Sequence, residues 1–254
     1  LEETTNSDSP MIRQLNLRSI LVSNLSKKRP YQPPSSIMTD DPEVILQDPN
    51  ISVVIELIGG EYPAIDFITK AINLGKHVVT ANKEVIAKHG SKLSKLAEKT
   101  GVSIKFEASV GGGIPTIGPL IYDLSANKIS SIRAIINGTT NFILSKMSND
   151  HVDFNSALSQ AQSLGFAEAN PKNDLEGTDA AYKLAILASL AFHTFLDPSK
   201  IFREGIEGLD AKDFLYAQEL GREIKLLAIA KRLDENTIEA RVHPALLPIA
   251  SPLS

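Results

Sequence analysis

The chain of 254 residues contains no cysteine. That excludes disulfides, thiolate metal sites and a cysteine nucleophile, and it suits a reducing cytoplasm. Long apolar runs are also missing: no stretch approaches the roughly 20 residues that a membrane span needs, so no membrane partner is expected. Positive charge is sparse. The longest basic block is Lys27-Lys28-Arg29 and the formal net charge is -4, so no nucleic-acid partner is expected either. The signatures G-x-G-x-x-G, Walker A, G-x-S-x-G and H-E-x-x-H do not occur. His77, His89, His151, His193 and His243 show no ligand spacing and read as structural or surface residues. An initiator methionine is absent, the start Leu1-Glu-Glu-Thr-Thr-Asn is too polar and acidic for a signal peptide, and no closing element follows Pro252. The chain reads as a fragment.

What remains is an ordinary globular composition, 43% hydrophobic and 22% charged, with room for one large domain or two small ones. The first ten residues read as disordered or as the tail of a helix, and Leu17 to Val22 as a short strand. A proline-rich loop follows at Pro30 to Pro34, and Asp40-Asp41-Pro42 predicts a helix from Glu43 to Leu46. Ile51 to Ile58 is a near-continuous β-branched run, as in a strand covered on both faces. A helix over Pro63 to Leu74, a buried strand His77 to Thr80, a helix over Glu84 to Thr100 broken near Gly90, and a strand Val102 to Phe106 come next. This alternation predicts a doubly wound parallel α/β sheet. After a boundary near Val110 the texture changes to a helix (Pro115 to Ser125), a strand (Ile129 to Ile136) and helices over Thr139 to Met147, Phe154 to Leu164 and Asp179 to Phe192. A final helix over Tyr216 to Arg232 and a strand Ile238 to His243 close the pattern.

Open α/β sheets bind ligands at the carboxyl ends of their strands, and candidate groups sit there. Glu56-Leu-Ile-Gly59-Gly60 lets a ligand approach the backbone, or is a plain strand-to-helix turn. Thr80-Ala-Asn82-Lys83 offers a cation after a strand, or a capped helix start with an exposed lysine. Glu107 to Pro115, with Gly111-Gly112-Gly113, can present backbone groups to an ion or serve as a hinge. Asn137-Gly-Thr139-Thr140-Asn141 joins a strand to a helix, and a helix cap explains most of it. The richest stretch runs from Ala161 through Gly165, Glu168, Pro171, Asp174, Gly177 and Asp179 to Lys183, just before the uncharged run Leu184 to Phe192. An exposed i, i+4 ion pair would explain Asp179 and Lys183. The apolar run behind them points instead to an interior helix with a proton-handling lysine at its mouth, where clustered acids need a compensating charge.

These motifs together resemble homoserine dehydrogenase of the monofunctional bacterial type. The stretch follows that family's A-x3-G-[FY]-[AT]-E-x-[DN]-P-x2-D-[LV]-x-G-x-D-x3-K pattern, with Asn170 where Asp is common. The likeness extends over Val53 to Gly60, His77 to Ala87, Phe106 to Pro115, Ile136 to Asn141, Ile224 to Lys231 and Val242-His-Pro. It implies an incomplete Rossmann-like NAD(P)-binding domain over 1–110, followed by a truncated α+β substrate and dimerisation domain over 111–254. The implied activity is interconversion of L-homoserine and L-aspartate 4-semialdehyde, for threonine and methionine biosynthesis, with NADP or NAD; Ser23, where Arg often stands, leaves the choice between them open. By position, Lys183 corresponds to the proton donor and Asp179 to the neighbouring catalytic acid. Glu168, Asp174 and Lys83 correspond to substrate-holding residues, and Lys83 and Gly59 to cofactor contacts. Glu107, Val110, Gly112 and Ile114 correspond to a Na+ or K+ site made mostly of carbonyl oxygens. The resemblance also implies a cytoplasmic homodimer at full length. Without an upstream phosphate loop, the fragment alone is expected to bind nucleotide weakly or not at all and to be inactive. A non-catalytic amino-acid-binding or regulatory remnant is the alternative.

Overall fold

Apolar strands and amphipathic helices alternate in the first half of the molecule, and a sheet results whose strand ends carry the polar groups. The structure, a computed structural model, describes residues 15–254. The expected disorder or helical tail of the first ten residues lies outside that range. The strand expected at Leu17 to Val22 contracts to β1 (Ile20–Leu21), paired in parallel with β2 (Met38–Thr39). The helix α1 spans Glu43–Leu46, where the Asp-Asp-Pro signal puts it.

A three-stranded parallel sheet follows: β3 (Val53–Glu56), β4 (His77–Thr80) and β5 (Ile104–Lys105), side by side in that order. The connections are α2 (Ala64–Asn73) and α3 (Lys83–Thr100). Ile68, Ile72, Val78, Val85 and Leu93 form the core between helices and sheet. One expectation fails here. The strands are not covered on both faces: Val53, Ile55, Leu57 and Val79 are exposed while Glu56, Val78 and Thr80 are buried. The helices cover one face, and among the described residues nothing covers the other. Nor does α3 break at Gly90. It runs unbroken where Ile86 and Gly90 face Ile186 and Leu190 across a small cleft of about 250 Å³, and tertiary packing overrides a glycine penalty of about 1 kcal/mol.

Beyond the glycine-rich turn, the helix expected over Pro115 to Ser125 is only a wide turn at Pro119–Asp123. β6 (Ser131–Ala134) leads into α4 (Gly138–Asp150), α5 (Phe154–Ser163), the short α6 (Lys172–Leu175) and α7 (Thr178–Ala191). The tail holds β7 (Phe202–Arg203), α8 (Ala211–Glu219), β8 (Arg222–Arg232) and β9 (Ile238–Pro248). The expected helix over Tyr216 to Arg232 is therefore two elements. α8 ends at Glu219 with Leu220 as its C-cap, Gly221 turns the chain with φ +67°, and an eleven-residue strand pairs along its full length with β9. The sheet order is β6-β8-β9-β7. Central placement buries Lys225 to Ala228 without alternation, so helical and strand periods cannot be told apart there. The α/β class and the parallel sheet followed by an α+β unit are as expected.

The two halves meet where α3 packs on α7. At that seam Lys88 binds Glu61 at 2.7 Å and Glu84 at 2.6 Å. The Tyr182 hydroxyl on α7 donates to Glu84 at 3.3 Å. The Tyr182 hydrogen bond and the Lys88 ammonium over the Tyr182 ring, 5.7 Å from its centroid, join α3 to α7, and Lys83, at the N-terminus of α3, meets Asp179, at the N-terminus of α7.

Candidate active site

Burial decides the character of Asp179. It sits in the first turn of α7, where a carboxylate is favoured by the helix dipole, and only 4% of it is exposed. A carboxylate so placed needs partners, and it has three. Lys83 Nζ lies 2.8 Å from Oδ1 and Lys183 Nζ 2.8 Å from Oδ2. Asn137 Nδ2 donates to Oδ2 at 2.9 Å. Burial alone would raise the carboxyl pKa, but the Lys183 charge, with Lys83 and Asn137, more than offsets it and holds the group below the ordinary aspartate value. Lys83 shows the reverse balance. Burial opposes its charge, and Asp179, with Asp174 and Glu168 further out, outweighs burial and raises its pKa.

Lys183 is held on a second side as well: its Nζ donates to the Ile136 carbonyl at 2.9 Å. An ammonium has three donors, so one remains to point elsewhere. Asp174, on α6, is half-buried and joins the cluster through Asn137 Nδ2 at 2.7 Å. Its other oxygen takes a long bond, 3.3 Å, from the Thr139 hydroxyl. Glu168 stays exposed on the loop before α6, where its backbone carbonyl accepts from Gln162 at 3.2 Å. Lys83, Asp174, Asp179 and Lys183 therefore converge on one place from both halves, with Glu168 at the rim.

The strand ends beside it are organised by the first residue of the Glu56-Leu-Ile-Gly59-Gly60 motif, whose side chain has no role in the sequence pattern. Glu56, buried at the end of β3, accepts from the Thr80 hydroxyl at 2.6 Å and from the Ile58 amide at 2.7 Å. Asn82 caps α3 by accepting from the Val85 amide at 3.1 Å and donates to the Gly60 carbonyl at 2.7 Å. That ties the turn carrying Gly59 to the helix start carrying Lys83. Gly59 has φ +78° and open space where a Cβ would stand, so a ligand can approach the backbone closely there.

Glu107 lies in the turn Glu107–Ser109 after β5, and Val110, Gly112 and Ile114 on the glycine-rich loop that follows it. The Glu107 carboxylate accepts from the amides of Thr116, Ile117 and Gly118 at 2.6, 2.8 and 2.8 Å. These amides, Thr116 foremost, lower its pKa. Its side chain is thus committed to the loop, which leaves backbone oxygens for any cation. A Cβ on Gly111 would lie 2.7 Å from the Ile114 carbonyl oxygen; that oxygen is turned into the loop. No group of three or more His, Asp or Glu able to hold a metal occurs among the described residues.

A parallel α/β sheet whose strand ends deliver a lysine to a buried aspartate on a second unit is the layout of a two-part α/β protein with its site at the seam. Known proteins agree. Residues 2–107 match the family model described as the homoserine dehydrogenase NAD-binding domain, and 115–254 match the homoserine dehydrogenase model. The chain belongs to the homoserine dehydrogenase family. It is 45% identical over 249 residues to a homoserine dehydrogenase of Synechocystis, covering 97% of this chain and 58% of that protein. It is 44% identical to that of Corynebacterium glutamicum, covering 94% and 55%. Among solved structures, a homoserine dehydrogenase from Thiobacillus denitrificans superposes with a TM-score of 0.82 at 48% identity, over 85% of this chain and 50% of that one. A hyperthermophilic archaeal homoserine dehydrogenase in complex with NADPH gives 0.71 at 30%, over 84% and 61%. The chain thus spans about half the length of the curated relatives it matches.

Proposed function

We propose that the protein is an NAD(P)-dependent homoserine dehydrogenase, interconverting L-homoserine and L-aspartate 4-semialdehyde in the cytoplasm on the route to threonine and methionine. The observation that supports this most is Asp179 joined to Lys83 on one oxygen and Lys183 on the other. The family membership and the archaeal relative solved with NADPH support the cofactor class. Residues 1–110 are read as the NAD(P)-binding part and 111–254 as the substrate part.

The nicotinamide, when bound, supplies or takes the hydride. What this chain contributes is position and one proton. In the reducing direction the free N–H of Lys183 donates to the aldehyde oxygen, while Asp179 and the Ile136 carbonyl hold the ammonium in place. In the other direction the same nitrogen receives the alcohol proton. Lys83, bound to Asp179 by one donor, keeps others for the substrate carboxylate or the cofactor. Glu168 and Asp174 hold the amino-acid end, with Glu168 nearest its ammonium. Gly59 gives the cofactor access at the end of β3. The loop bearing Glu107, Val110, Gly112 and Ile114 is read as the Na+ or K+ site, through backbone oxygens. A homodimer is read at full length, through the concave face of the β6-β8-β9 sheet lined by Leu227, Ile229, Arg241 and Leu247.

The test uses the full-length protein, with nicotinamide reduction followed while homoserine is titrated. Homoserine-dependent turnover is expected. Calorimetric binding of homoserine with no turnover on either NAD+ or NADP+ would support the non-catalytic alternative instead.

A further inference from the structure

We infer that Asn137 is a positioning residue of this site: its single amide nitrogen holds Asp174 and Asp179 in fixed register, the substrate-holding acid against the proton-handling one. The inference rests on the functional reading above for its kinetic consequences, and on geometry alone for the register.

Two demands fall on this one side chain. The first is local. Asn137 is the N-cap of α4, and its Oδ1 accepts from the Thr140 amide at 2.8 Å and from the Thr140 hydroxyl at 2.9 Å. Asp, Ser or Thr would meet that demand about as well. The second is tertiary. Nδ2 gives one hydrogen to Asp174 Oδ1 at 2.7 Å and the other to Asp179 Oδ2 at 2.9 Å. Among capping side chains only the carboxamide offers an acceptor together with a two-hydrogen donor. The two hydrogens of a planar amide diverge by about 120°, so the two bonds set the carboxylate oxygens about 5 Å apart.

Asn137 is 6% exposed, and its oxygen is anchored to the start of α4. The spacing is therefore referred to a rigid helix end and not to a loop. This matters because α6 and α7 approach from different directions, joined only by the Glu176-Gly177 turn. The charged groups that face Asp179 are Lys83 from α3 and Lys183 from its own helix, and Lys83 in turn feels Asp174 from α6 and Glu168 from the preceding loop. The lysines attract both carboxylates, but neither fixes their separation.

The experiment uses two full-length variants that keep the cap and remove the bridge. Asn137→Ser is too short to span both acids and adds no charge. Asn137→Asp keeps the shape and places a third carboxylate between the two. Asn137→Ser should melt close to the parent, whereas Asn137→Asp should melt lower at neutral pH and recover as pH falls, since it adds a buried carboxylate to the cluster. Both should lose about 10- to 100-fold in kcat, the scale on which small misplacements act. Asn137→Asp should regain part of the activity as pH falls, because its protonated carboxyl donates one hydrogen to one of the two acids while its other oxygen keeps the cap, whereas Asn137→Ser should not. Carboxyl-carbon NMR titration gives a second readout that needs no turnover: Asp179 should titrate higher in both variants than in the parent. A kcat within twofold of the parent in both, with parental pH profiles and a parental Asp179 titration, would overturn the inference. If the parent itself turns nothing over, the functional reading fails, and the NMR titration still decides the register.

Discussion

Replacing Lys183 by alanine separates catalysis from stability, because the two costs differ in size. Lys183 makes two contacts, at 2.8 Å to Asp179 and 2.9 Å to the Ile136 carbonyl. Stripping a buried charge of its only partner costs about 3–5 kcal/mol. Asp179 is not left alone, since Lys83 and Asn137 remain at 2.8 and 2.9 Å. The loss should be nearer ~2 kcal/mol, and the thermal midpoint should drop by about 4–8 °C in a chain of this size. Loss of a positioned proton donor costs about 10²–10⁴ in rate, or roughly 3–5 kcal/mol of barrier. The variant should therefore stay folded at assay temperature and turn over at least a hundredfold more slowly. Lys183→Arg sharpens the test: it keeps the charge beside Asp179 but does not deprotonate at any working pH, so it should recover stability and not rate. The assay is initial-rate nicotinamide spectroscopy on full-length protein beside a thermal melt. Turnover in Lys183→Ala within tenfold of the parent would refute the role given to Lys183.

Two further outcomes follow from the same geometry. A Cβ on Gly205 would stand 2.5 Å from the Leu175 carbonyl and 3.0 Å from Glu176 Cα, both backbone atoms that cannot swing away; Gly205→Ala should cost about 1–3 kcal/mol and raise KM for homoserine by displacing α6 and Asp174. A parental melt and KM would contradict that. In the pH dependence of stability, Asp179 has a folded pKa below its unfolded one, so its contribution is complete above the unfolded value of about 4 and lost as pH falls through the folded value. Lys83 has a raised pKa, so its contribution holds below the unfolded lysine value of about 10.4 and is lost as pH rises through the folded one. Thermal midpoints across pH should show both limbs, and Asp179→Asn should flatten the acid one.

The fold was legible where sequence periodicity and chain punctuation agree. β4 runs over His77–Thr80 as its residues imply, and α5 starts at Phe154 because Asp153 caps it, accepting from the Ser156 amide at 3.1 Å. Reading failed where one pattern serves two structures. Arg-Glu-Ile-Lys-Leu-Leu-Ala-Ile-Ala-Lys-Arg is composed of good helix formers, yet it becomes the central strand β8, paired along its edges with β6 and β9 and packed against α4, α7 and α8. The cue was Gly221, a residue able to take positive φ between two apolar runs. The opposite error arose at β3, whose β-branched run looks buried on both sides although α2 and α3 cover only one.

The site divides along the same line between local and non-local information. Asp179 and Lys183 are one helical turn apart, so their pairing was readable from spacing once the apolar run behind them placed the helix inside. Lys83 reaches Asp179 across the packing of α3 on α7, which Tyr182 joins through Glu84 and Lys88, and no sequence interval encodes that. Asn137 shows why a correct local reading can be incomplete. Its capping role was visible beside Thr139 and Thr140, and that sufficed to explain an asparagine there. The cap uses only the oxygen. The nitrogen's partners, Asp174 and Asp179, come from two other helices, and a polar side chain buried at a helix start with half its hydrogen-bonding capacity unassigned was the remaining signal. Glu56 follows the same logic. A carboxylate ending an apolar strand has to be satisfied by whatever the neighbouring strand brings, and Thr80 is the residue that stands opposite it in the β3–β4 register. Buried polar groups therefore mark where tertiary partners decide the structure, and in this chain Glu56, Thr80, Asn82, Asn137 and Asp179 are the ones that wall the site.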